Sequence, residues 1–196
     1  MLERITAKEW KDLIIAWLVI AFAFIPIFNT RGWFNIDGVL AAFSLSLVTV
    51  GIGFIIHESA HKFVALREGL WAEFKRNDLM LALAVIMAFA IGMVFAAPGA
   101  VMVYGGASTR QNGKIAAAGP ISNIILAVIF ILVIPVGGFI GVIGSFGARV
   151  NISLALFNML PFGPLDGKKI WNYSRKKYMG IVCVGLGMMF LIFALI

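Results

Sequence analysis

Between Asp37 and Glu58 the chain runs from Gly38 to His57 without a single Asp, Glu, Lys or Arg. A run of that length matches the hydrocarbon thickness of a bilayer, which takes about 20 apolar residues as a helix. Backbone amides in hydrocarbon must be satisfied internally, so such a run folds as a helix or not at all. It is not alone. Apolar runs at about 13–28, 38–66, 79–95, 113–135, 148–160 and 179–196 leave only short polar gaps. With 62% hydrophobic residues, against about 45–50% for soluble domains, the chain reads as a polytopic membrane protein. We expect an all-α fold of five to six transmembrane helices in one domain spanning 1–196. The first helix is expected to be retained, because the mixed charges of residues 1–12 suit no transit peptide and no cleavage site follows it.

The net charge of +7 raises nucleic acid as a partner. Most of the basic residues sit in or beside the gaps between apolar runs, however, where membrane topology accounts for them, so no nucleic-acid partner is expected. If every run crosses once, the sixteen Lys and Arg divide equally between the two sides. If 79–106 enters and returns on one side, fourteen lie inside and two, Arg31 and Arg149, outside. Lys and Arg concentrate on the cytoplasmic side, which favours the second topology. Leu79–Phe95 is then a re-entrant helix broken at Ala97-Pro98-Gly99, with Ala100–Tyr104 returning as extended chain. A multi-pass protein of a prokaryotic cell membrane follows, with its N-terminus and active-site access on the cytoplasmic side. Trp10, Trp17, Trp33, Trp71 and Trp171 read as interfacial anchors. Cys183, the sole cysteine, reads as a small buried side chain.

The only two histidines are His57 and His61, in the string His57-Glu58-Ser59-Ala60-His61. Positions i and i+4 of a helix share a face, so both imidazoles point to one place. Two nitrogen ligands with a glutamate between them form the His-Glu-x-x-His pattern: the histidines bind zinc and the glutamate serves as base for a metal-bound water. Ionisable groups are expensive inside a membrane, which argues against accident. A third ligand is expected at Asp166, in Pro161-Phe162-Gly163-Pro164-Leu165-Asp166-Gly167, where prolines and glycines stop a helix. That segment alone would read as a turn. The histidine pair in need of a carboxylate makes it a ligand site for one Zn2+ per chain. The topology agrees, because a simple crossing by 79–95 would put Asp166 up to ~30 Å from the histidines.

Three segments together resemble the site-2 protease family of intramembrane zinc metalloproteases. They are His57–His61, then Ala118-Gly119-Pro120-Ile121-Ser122-Asn123, then Asn158-Met159-Leu160-Pro161 with Leu165-Asp166-Gly167. Their order and approximate spacing match over about residues 38–170. The resemblance implies His57, His61 and Asp166 as zinc ligands, Glu58 as the catalytic base and Asn158 on a substrate-contacting segment. It also implies a membrane-associated β element where Pro98–Tyr104 lies. Asn123 is a further candidate for substrate contact. Val101 and Val103 are candidates for pairing with an unwound substrate strand. The expected substrates are transmembrane segments of single-pass membrane proteins within the lipid bilayer. Two departures stand out: the insertion 79–95 is longer than the minimal family pattern, and there is no room for the PDZ or CBS domains of many members. An inactive zinc-binding adaptor and a metal transporter are the alternatives at this stage. Retention of Glu58 opposes the first. The second lacks a polar route beyond His57, where only Ser44, Ser46 and Thr49 lie.

Overall fold

In a computed structural model, residues 5–29, 35–94 and 98–195 are described. Arg31, Trp33, Phe95 and Ala97, each singled out above, lie outside these residues. Among the described residues, five helical stretches are long and apolar enough to cross a membrane: Ala7–Phe28, Ile36–Arg67, Thr109–Val136, Gly138–Asn158 and Arg175–Ala194. The chain is a multi-pass membrane protein. It divides into two compact units, one of residues 1–55 and 73–102, the other of 56–72 and 103–196.

In the first unit, α1 (Ala7–Ala23) is capped by Thr6, whose hydroxyl accepts from the amide of Glu9. After the short α2 (Ile25–Phe28), α3 (Ile36–Ser46) continues through a π-helical turn, Leu47–Gly51, into α4 (Ile52–Arg67). The wider turn leaves a carbonyl free for another donor. The indole Nε1 of Trp17 donates to Leu47 O at 3.1 Å. Gly51 is needed there, since any side chain would run into the Trp17 ring. Trp17 is therefore a packing residue of the span and not an interfacial anchor, whereas Trp10, Trp71 and Trp171 are exposed.

α5 (Asp78–Ile91) begins at Asn77, whose side chain accepts from Met80 N, and ends at Gly92 in the left-handed region, φ 71°. An α-helix rises about 1.5 Å per residue, and a hydrocarbon core is about 30 Å thick. The 14 residues of α5 therefore reach only about 21 Å. Asn77 N donates to Pro98 O at 3.0 Å, so the excursion ends where it began. A short helix whose flanking residues Asn77 and Pro98 meet is the shape that a re-entrant segment requires.

The extended chain is a two-stranded sheet, β1 (Trp71–Arg76) with β2 (Gly99–Tyr104). β1 departs from expectation, since its residues read as part of a basic loop. The end of β1 lies beside the start of β2, which makes the pair antiparallel. Alternation from the Asn77–Pro98 bond turns the backbone groups of Ala100, Met102 and Tyr104 toward β1. Those of Gly99, Val101 and Val103 turn to the other edge. The same alternation turns Phe74 N–H away from β2, and there it donates to Glu9 Oε1 at 3.0 Å. Arg76 joins β1 to α1 through Asp12 at 3.4 Å.

The second unit holds the end of α4, then α6 (Thr109–Val133), α7 (Gly138–Asn158), α8 (Asp166–Tyr173) and α9 (Arg175–Leu195). α6 starts in a capping box, Ser108 with Gln111, which satisfies two of the amides a helix start leaves open. α7 starts at Gly138, well before the expected boundary at 148. Its glycines suggest a loop when read alone. Gly144 lies against Phe130 O and Ile134, and Gly147 against the Phe130 ring. Their lack of a side chain lets α6 and α7 approach closely. That packing outweighs glycine's helix penalty of about 1 kcal/mol per residue. Arg149 therefore lies inside a spanning helix, its guanidinium 5.7 Å from the Phe193 ring centroid, and not in an outer loop. α8 is a further departure, a helix where the sequence suggests basic loop. Cys183 proves exposed on α9. A small apolar side chain loses nothing by facing lipid.

Candidate metal centre

His57 and His61 lie one turn apart on α4, with ring centroids 4.6 Å apart and planes nearly perpendicular. Asp166 reaches the same point from the first residue of α8. The three atoms that meet form a small triangle. His57 Nε2 and His61 Nε2 are 3.0 Å apart, and Asp166 Oδ2 is 3.3 Å from the first and 3.1 Å from the second. Zinc bonds of about 2.0–2.1 Å in a tetrahedron separate neighbouring ligand atoms by about 3.3 Å. The triangle thus fits one zinc-sized ion within a few tenths of an ångström, with a fourth position left for water.

The hydrogen-bonding of His61 fits the same use. Its Nδ1 lies 2.8 Å from the carbonyl of Ile115. A carbonyl only accepts, so Nδ1 carries the proton and Nε2 presents its lone pair. Ile115 belongs to α6, where Pro120 lacks the amide that would bond Ala116 O beside this contact. Asp166, although buried, faces both imidazoles with one carboxylate oxygen. The donor set is two imidazole nitrogens and a carboxylate oxygen.

Two glycines permit this approach. A Cβ on Gly119 would sit 2.5 Å from His57 Cε1, His57 Nε2 and His61 Nε2. Real Cβ atoms do not come so close, so only glycine lets the backbone of α6 floor the site. A Cβ on Gly167 would run into the carbonyls of Met159 and Leu160, so glycine there lets α8 turn in and bring Asp166 to the histidines. In the sequence Gly119 reads as a helix-packing residue and Gly167 as part of a turn; neither reads as a support of the metal ligands. The signal available is that both glycines fall within segments that carry the family resemblance.

The other expected site residues are distributed as follows. Glu58 is buried beside the histidines on α4. Asn123 lies one turn beyond Gly119 on α6, buried, and among the described residues neither of its amide atoms has a hydrogen-bond partner. Asn158 is half-buried at the end of α7, and its amide nitrogen donates to Leu154 O within its own helix at 3.0 Å. Val101 and Val103 lie on β2.

A curated Methanocaldococcus jannaschii protein named "Putative zinc metalloprotease MJ0611" is 40% identical over 196 residues, covering 95% of this chain and 97% of its own length. The chain belongs to the site-2 protease family of intramembrane zinc metalloproteases. A second relative, "Putative zinc metalloprotease YwhC" of Bacillus subtilis, is 31% identical over 144 residues, 63% of this chain and 66% of its own. No family model and no solved structure matches the chain. The site-2 protease assignment and the buried His57–His61–Asp166 triad agree on a metal-dependent hydrolase within the membrane.

Proposed function

We propose that this protein is a zinc endopeptidase that cleaves transmembrane segments of membrane-protein substrates, with one zinc per chain held by His57, His61 and Asp166. The observation that carries this reading is the Nε2–Nε2–Oδ2 triangle over Gly119. A zinc ion held there supplies a Lewis acid and a water of lowered pKa, about 7. Glu58 accepts the proton from the attacking water and then delivers it to the amine that leaves. His61 is kept in the ligating tautomer by Ile115 O, and Asp166 offsets half of the ion's charge. Asn123, with a buried amide that lacks a partner among the described residues, is suited to donate to a polarised peptide carbonyl. Asn158 is assigned to substrate contact, using the amide oxygen that its bond to Leu154 leaves over.

A peptide bond inside a helix is shielded by its own hydrogen bonds, so the substrate must unwind to react. Unwound chain inside a bilayer requires new partners for its amides. The outward N–H and C=O groups of Gly99, Val101 and Val103 supply such partners on an edge of β2 that β1 does not cover. The active site is assigned to the cytoplasmic side, with the basic ends of the helices.

The reading is tested by incubating purified protein, in detergent or vesicles, with a tagged single-pass membrane protein. Wild type cleaves it and contains about one zinc per chain. Glu58→Gln retains the zinc and does not cleave, because a base is not a ligand. Zinc-loaded wild type that never cuts any transmembrane segment would leave the chain a metal-binding membrane protein without this activity.

A further inference from the structure

After Asp166 the chain contains no acidic residue, yet Lys168, Lys169, Arg175, Lys176 and Lys177 follow in quick succession. The fold brings all five to one corner, where α8 ends and α9 begins. α8 is two-faced. Asp166, Gly167 and Ile170 are buried, and Lys168, Lys169, Trp171 and Asn172 are exposed. Arg175, Lys176 and Lys177 then form the exposed first turn of α9, a spanning helix.

Two aromatic residues organise the corner. The Trp171 ring meets the Tyr178 ring edge-on with centroids 5.0 Å apart, pinning α8 to α9. The Arg175 guanidinium lies 5.1 Å from the Trp171 centroid, and Lys177 Nζ lies 4.9 Å from that of Tyr173 and donates to its hydroxyl at 3.1 Å. Of the five, Lys169 has a carboxylate nearby, Asp166 Oδ1 at 3.8 Å. Among the described residues, Lys168, Arg175, Lys176 and Lys177 have no anionic partner. Clustered cations beside an exposed tryptophan, at the end of a membrane span, lie at headgroup depth.

We propose that this corner is a binding site for anionic phospholipid headgroups, their phosphates taken by Lys168, Lys176, Lys177 and Arg175 with Trp171 seated among the upper acyl chains. An anionic lipid fits better than a soluble phosphate because the corner joins charge to an apolar anchor.

Binding is measured by native mass spectrometry of the full chain in neutral detergent, titrated with phosphatidylglycerol or phosphatidylcholine. Phosphatidylglycerol is retained preferentially. The triple variant Lys168→Gln/Lys176→Gln/Lys177→Gln weakens that retention by about tenfold or more, given the contribution each basic residue makes at a charged surface. A control triple, Lys11→Gln/Lys75→Gln/Arg110→Gln, stays within about twofold of wild type. Equal retention of the two lipids, or equal loss in the two triples, overturns the site. Displacement of the lipid by millimolar inorganic phosphate also overturns it, since the corner would then bind phosphate without regard to the lipid. Glu58→Gln retains lipid as wild type does, so the lipid site and the peptidase reading stand or fall separately.

Discussion

Asn77 N donates to Pro98 O at 3.0 Å, closing the ends of an apolar excursion on each other. If this excursion enters the bilayer and returns, it makes no net crossing, and the chain on either side of it should face the same compartment. Single cysteines at Lys75 and Thr109, in a background with Cys183→Ser, should both react with a membrane-impermeant thiol reagent from one side of sealed vesicles. Reaction from opposite sides would mean that 78–97 crosses. Cys183 must be removed first because it is exposed.

Gly119→Ala is the sharpest test of the metal site that avoids the ligands. The added methyl would lie 2.5 Å from both imidazoles. Overpacking of this kind costs about 1–3 kcal/mol. The histidine pair is the part that moves, since the backbone of α6 is held by α7. We expect zinc content to fall by more than half and cleavage by at least about tenfold, with the helical circular dichroism unchanged. Full zinc occupancy in this variant would refute the close approach of α6.

The His57–His61 half of the candidate metal centre was legible in the sequence for a simple reason. Helical periodicity fixes where His57 and His61 point, and a membrane penalises ionisable groups that have no task. The distribution of Lys and Arg predicts a 79–106 excursion that returns to its starting side, and the Asn77–Pro98 bond agrees with that shape. Other features depend on tertiary contacts that one sequence does not carry. Gly138 to Gly147 looks like a loop until Phe130 is known to fill the space over Gly147. β1, with Glu73, Lys75 and Arg76, looks like a polar turn until Glu9 is seen to accept from Phe74 N. Trp17 looks like an interfacial anchor until the π-helical turn offers it Leu47 O.

Metal removal should separate ligands from base. Prolonged dialysis against a chelator should abolish cleavage, and added zinc should restore it in wild type. His57→Ala, His61→Ala and Asp166→Ala should each hold less than about a tenth of the zinc that wild type holds, because a site of three protein ligands loses its closed geometry when one is gone. Glu58→Gln should bind zinc normally. Normal zinc in both histidine variants, measured by atomic emission, would refute the assignment.

Asp166→Asn should lie between these extremes. The amide keeps the shape of the side chain and one oxygen donor but loses the charge, and a neutral oxygen is a weaker ligand than a carboxylate. Zinc affinity measured by competition with a chelator should fall about 10- to 100-fold, a loss of the order that disturbing a metal site's surroundings produces. Gly167→Ala should mimic part of this loss from outside the triad, because its methyl would drive α8 away from the Met159 carbonyl. An unchanged affinity in Asp166→Asn would show that the carboxylate charge contributes nothing to holding the ion.

The register of β2 turns the substrate question into a comparison of prolines. Proline removes one N–H and locks φ, so its effect depends on where that N–H points. At Met102 the N–H faces β1, and Met102→Pro should open the sheet and lower the melting temperature. At Val101 and Val103 the N–H faces the uncovered edge, where β1 loses nothing. Val101→Pro and Val103→Pro should therefore keep zinc and melting temperature near wild type. If that edge pairs with unwound substrate, at least one of them should lower cleavage by about tenfold or more, a loss seen mainly in KM because substrate binding is weakened before chemistry. A contrasting substitution, Val101→Thr, retains the N–H and should cleave normally. Full activity in both edge prolines, with Met102→Pro destabilised as expected, would confirm the register and show that substrate is held elsewhere, with Asn158 and Asn123 the next residues to test.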